Sequence, residues 1–114
     1  VDQKPLCSFI APAIVKRGEL VIAVSTGGVS PTVAKRLRRE LQHTISADYA
    51  KFLKLLEGLR GVAKRTLPSY RDRKRYFDEV VGGRVFELVR AGHRTAARAQ
   101  ALRLLDEAAR HHCN

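Results

Sequence analysis

Ser25-Thr26-Gly27-Gly28-Val29-Ser30-Pro31 is the segment whose residue types and spacing are best suited to holding a ligand. An apolar run, Leu20-Val21-Ile22-Ala23-Val24, leads into it, and a strongly patterned helix leaves it. Glycines at 27 and 28 allow backbone angles and close approaches that a side chain forbids. Ser30 before Pro31 reads as a helix N-cap followed by proline at the first helical position. Amide hydrogens should then converge at the helix start, where the positive end of the helix dipole also points, and an anionic group would suit them. On that reading Thr26, Gly27 and Gly28 form a wall facing the ligand, and Ser30 offers it a hydroxyl. The same residues equally describe a plain strand-to-helix connection in which the glycines only turn the chain and Ser30 only caps.

Cations are the second chemical resource. The chain carries 22 Lys and Arg against 11 Asp and Glu, a net charge of +11 in 114 residues, which favours polyanions or multiply carboxylated small molecules as partners. Lys35, Arg36, Arg38 and Arg39 form one cluster, and Arg71, Arg73, Lys74 and Arg75 form another. Taken singly, each reads as part of a solvated helix face. Cys7 and Cys113 stand near opposite ends with no CxxC, so neither a disulfide framework nor a thiolate metal site is indicated and both thiols are expected free. His111-His112-Cys113 has metal-binding residue types, but neighbours on a helix point in different directions, so it reads as a surface tail and no metal site is expected.

The elements that must position these groups follow from periodicity. Phe9 to Val15 and Leu20 to Ser25 are short β-branched runs, joined through Lys16-Arg17-Gly18-Glu19 as an antiparallel hairpin. Pro12 cannot donate to a ladder, which places the first strand at an edge or bulge. Val33, Leu37, Leu41 and Ile45 give a helix from Pro31; Ser46 caps a second, running to about Thr66; Ser69 with Asp72 opens a third that Gly82-Gly83 ends. A short helical turn from Val85 to Val89 closes at Gly92, and an alanine-rich helix spans about Arg94 to His111. The fold class is therefore α+β, a short hairpin followed by four to five helices. It divides into a hairpin and first helix, residues 1–45, and a helical segment, residues 46–114. A two-stranded hairpin is marginal alone, so pairing of two copies through it is expected. The chain lacks a secretory signal and any apolar stretch of membrane-spanning length, so it reads as soluble, intracellular and cytoplasmic.

Asp2-x-x-Pro5-x-Cys7-x-Phe9-x-x-Pro12-Ala13, then Arg17, then Ile22 through Pro31, then Ala34 and Leu37-Arg38 closely resemble the siroheme synthase family of precorrin-2 dehydrogenases, some of which are also sirohydrochlorin ferrochelatases. The resemblance is dense over residues 1–41 and looser over 42–90. It implies a homodimer that oxidises precorrin-2 to sirohydrochlorin with NAD and, in bifunctional members, inserts ferrous iron. It assigns an acid/base role to Asp2. The substrate's rim of carboxylates would meet Thr26, Gly27, Gly28, Ser30 and Arg38, with the remaining cations of the two clusters around them. The family's glycine fingerprint for NAD would stand before Asp2, so this chain is expected to hold no NAD and to be inactive alone, whether as a cut piece or a stand-alone product. Two other readings remain: a purely structural dimerisation piece, and a basic helical module for nucleic acid. The second is disfavoured by 6% aromatic residues and the lack of a reading helix or stacking motif.

Overall fold

The computed structural model describes residues 11–113. Two strands, β1 (Ala13–Arg17) and β2 (Leu20–Val24), precede five helices: α1 (Pro31–Thr44), α2 (Asp48–Thr66), α3 (Tyr70–Gly82), α4 (Val85–Arg90) and α5 (Arg94–Cys113). The fold is α+β, as the periodicity predicts. Two compact units divide within α2, one ending at Ala50 and the other beginning at Lys51.

In the first unit β1 and β2 pair antiparallel, Ala13 opposite Val24 and Arg17 opposite Leu20. The loop is thus only Gly18-Glu19, and Lys16 and Arg17 belong to the strand instead of the turn. Gly18 makes this possible with φ +63°, the pattern of a hairpin loop with glycine first. A side chain there would also place its Cβ 2.8 Å from that of Ala50. Pro12 lies just before β1 and does not interrupt the described ladder, and β1 is an edge strand of the two-stranded sheet, the first of the two expected placements. The expected strand residues Phe9 and Ile10 lie outside the described residues.

One sheet face, with Val15 fully buried and Ala13, Ile22 and Val24 half-buried, packs on α1. Arg17, on that face, donates from Nε to the Ile45 carbonyl (2.9 Å) and from Nη2 to that of Gln42 (3.1 Å). It thereby satisfies carbonyls that the end of α1 leaves without helical partners. Ser46 leads into α2, its hydroxyl accepting from the Asp48 amide and donating to the Asp48 carboxylate.

The helical unit has a fuller core. Phe52, Leu59 and Ala63 of α2, with Leu67 just past its end, meet Tyr76 and Val80 of α3, Val85 and Val89 of α4, and Ala97, Ala101 and Leu105 of α5. Alanines at i and i+4 on α5 let the backbones approach, and the Tyr76 hydroxyl donates to the Ala101 carbonyl at 2.7 Å. Burial pushes the Tyr76 phenol up to about 12. Phe52 and Phe86 rings lie 4.9 Å apart, and the Arg90 guanidinium sits over Phe86. Ser69 caps α3, and α4 closes through Gly92 at φ +84° with the His93 amide on the Leu88 carbonyl. Among the described residues no helix is long and apolar enough to cross a membrane.

Candidate functional site

The loop after β2 is tied into itself. Thr26 Oγ1 donates to the Ser30 carbonyl (3.1 Å) and accepts from the Ser30 amide (2.9 Å), closing a small ring around Gly27 and Gly28. The Gly27 amide goes to Ser25 Oγ and the Val29 amide to the Thr26 carbonyl. Ser30 Oγ accepts from the Val33 amide at 3.1 Å, the N-cap bond, and the Ser30 carbonyl takes the Ala34 amide. The expected convergence of open amides is therefore largely absent, because the loop and cap use them internally. Gly27 and Gly28 hold φ of +66° and +84°. A Cβ at Gly27 would find no atom within 4 Å, so the left-handed backbone requires glycine there and close packing does not.

Thr26 is thus a positioning residue with both hydroxyl functions engaged. Ser30 differs: its oxygen accepts from Val33, and its hydroxyl proton remains available to an acceptor lying against the helix start. Along the first turns of α1 lies a hollow of about 320 Å3 lined by Pro12, Ala13, Ile14, Pro31, Ala34, Lys35 and Arg38; of the expected substrate residues it takes in Arg38, and Thr26, Gly27, Gly28 and Ser30 do not line it. Arg38 is half-buried. Of the other cations on α1, Arg36 is held by Glu40 at 3.2 Å.

The second cationic cluster divides by task. Arg73 donates to the carbonyls of Leu67 (2.8 Å) and Pro68 (2.7 Å), closing the end of α2, and Lys74 pairs with Asp78. Arg71 and Arg75 are exposed on α3. The expectations for Asp2 and Cys7 lie outside the described residues, as do those for the side chains of His112 and Cys113. Among the described residues no group of three or more His, Cys, Asp or Glu stands where it could hold a metal ion.

A feature that periodicity alone missed is the apolar surface left open in this unit. Val33 and Leu37, at the spacing of a buried stripe, are 46% and 41% exposed, and α1 buries Ala34 instead. The outer sheet face carries Ile14 opposite Ala23 and Val21 opposite Lys16, with Val21 54% exposed. The available signal was that Leu20–Val24 is apolar at every position, so with side chains alternating between faces both faces carry apolar groups.

Comparison with known proteins follows the same division. The family described as the sirohaem synthase dimerisation region matches residues 48–105, and that described as sirohaem biosynthesis protein central matches residues 17–44. A siroheme synthase of Thioalkalivibrio sulfidiphilus is 40% identical over 98 residues, 86% of this chain and 20% of that protein. One from Psychrobacter cryohalolentis is 38% identical over 109 residues, 96% of this chain and 21% of that protein. The chain therefore spans about a fifth of the length of these curated relatives. A solved structure described as SirC, precorrin-2 dehydrogenase, shares the fold with a TM-score of 0.63 at 23% identity, over 84% of this chain and 46% of that one.

Proposed function

Since the chain belongs to the sirohaem synthase family, we propose that it supplies the dimerisation and tetrapyrrole-facing portion of an enzyme that oxidises precorrin-2 to sirohydrochlorin with NAD. Ferrous iron would enter afterwards as a substrate in a bifunctional parent. One observation carries this reading: a single small unit presents an open apolar sheet face and, at the start of α1, a hollow edged by Lys35 and Arg38. The first suits a second copy of the chain. The second suits a flat, apolar molecule rimmed with carboxylates. On this reading residues 1–45 would pair and face the substrate, and residues 46–114, which hold the match to the dimerisation region, would form the C-terminal helical segment.

In this role Arg38 would take one substrate carboxylate in a two-pronged bond, with Lys35 adding charge. Ser30 would donate its remaining proton to a neighbouring carboxylate, held in place by the Val33 amide on its oxygen. Thr26, Gly27 and Gly28, outside the lining of the hollow, would act by holding Ser30 in place, Thr26 through its ring of bonds to Ser30. Asp2 would exchange the proton at the macrocycle.

NAD supplies the hydride acceptor in such an enzyme, and the described residues do not fit it. Their sheet is a two-stranded antiparallel hairpin, not a parallel one, and the strand-to-helix glycine corner engages its amides internally. The dinucleotide site has to come from elsewhere, and the chain alone is expected to bind tetrapyrrole without oxidising it.

Titration of the 114-residue chain with a stable octacarboxylate porphyrin, followed by absorbance, tests the proposal. Saturable binding that weakens about tenfold in Arg38→Gln is expected, from the loss of a charge-assisted pair. Equal affinity in Arg38→Gln and in an Asp2→Ala, Ser30→Ala double variant would remove the site.

A further inference from the structure

We propose that the helical unit carries a second anion site, separate from the hollow beside α1. It is a groove of about 290 Å3 between α2 and α5, suited to a small molecule bearing neighbouring anionic groups on an apolar body. Lys51 and Lys54 stand on its α2 wall, Arg94 and Arg98 on its α5 wall, and Leu55 and Val89 form apolar surface between them. No carboxylate lines it. Residues three or four apart share a helix face, so each wall directs its pair of cations into the same cleft. Like charges gathered around one opening repel, and a bound anion relieves that repulsion.

Three other basic residues of this unit have visible structural work, and Lys51 of the groove also has a partner. Arg73 closes α2, Lys74 pairs with Asp78, and Arg90 lies over Phe86. Arg98 instead lies across α2 at Gly58, its Nη1 4.0 Å from where a Cβ of that glycine would stand. Glycine in a helix interior is unfavourable, and packing does not require it here, because the sole atom within reach is the tip of a flexible side chain at an ordinary contact distance. What the glycine does is leave the groove open. Planar guanidinium groups on one wall and ammonium groups on the other match clustered anionic oxygens, while Leu55 and Val89 accept carbon skeleton. Carboxylates of a macrocycle and phosphates of a nucleotide both supply such oxygens. The volume admits a small ligand or one edge of a larger one.

The site does not depend on the reading given for Arg38, and one experiment separates the two. The Leu55 and Val89 methyl resonances of the full chain are followed by NMR at about 150 mM salt, with an octacarboxylate porphyrin in one titration and tripolyphosphate in another. Saturable shifts of these methyls with at least one probe are expected, and the tighter probe identifies the anion class. A Lys54→Gln, Arg98→Gln double variant should bind about tenfold or more weakly. Gly58→Leu, which keeps every charge and favours the helix, should close the groove and weaken binding similarly, while Arg38→Gln should leave these shifts unchanged. The proposal is overturned by shifts that never saturate with either probe, by groove variants that bind as the parent does, or by a response to duplex DNA alone.

Discussion

Arg17 joins β1 to the end of α1 through two carbonyls, and a lysine could not reach both with one point charge. Arg17→Ala should therefore cost the first unit about 1 to 3 kcal/mol, with Arg17→Lys recovering little. Hydrogen exchange at Val15 and Ile22 reads this directly, and the helical unit should keep its protection. Tyr76 makes a pH prediction. Its folded phenol holds its proton up to about 12, whereas an unfolded tyrosine releases it near about 10. Stability from this group is thus complete below the lower value and lost as pH rises through the upper one. Tyr76→Phe should flatten that alkaline loss in a series of denaturant melts while lowering neutral stability by about 1 kcal/mol, since the bond to Ala101 goes. At this scale the sequence was uneven. Ser30 and Ser69 were legible as caps because capping depends on residues three apart. The tasks of Arg17 and Arg73 were not, because their acceptors are backbone carbonyls whose positions only the fold sets.

Among the elements, the helices could be read from spacing to within a residue or two, since caps, Pro31 and the glycine pair at 82 and 83 punctuate them. The hairpin turn was drawn too long, because one glycine at φ +63° permits a two-residue loop that charge at Lys16-Arg17 concealed. Periodicity also showed that α1 has an apolar stripe but not which way it faces: Ala34 is buried, and Val33 and Leu37 remain open. That open stripe and the outer sheet face make a prediction at the same scale. Val21→Lys, placed opposite Lys16, adds a like charge across the face without touching Val15 or Ala34. The like pair costs each hairpin less than about 1 kcal/mol, and association should weaken by about tenfold or more, as loss of one buried valine contact implies. A shift in the concentration dependence of the thermal midpoint checks it. An unchanged dependence would direct attention from the hairpin to the helical unit.

For the molecule as a whole, the two units differ in how complete their cores are. The helical one buries a continuous set of side chains from Phe52 to Leu105. Among the described residues the hairpin and α1 bury Val15 and Ala34 and leave much apolar surface open, and a two-stranded hairpin is marginal alone. Its stability should then be linked to self-association and rise with protein concentration. The family matches split the chain near the same place, yet the dimerisation region covers residues 48–105 and the central region 17–44, so the helical unit is the other surface through which copies could pair. Sedimentation equilibrium of the 114-residue chain at micromolar concentration, beside its Val21→Lys variant, bears on the account most directly. The parent should sediment at twice the chain mass and the variant shift toward one. A parent that remains at a single chain mass throughout that range would contradict it.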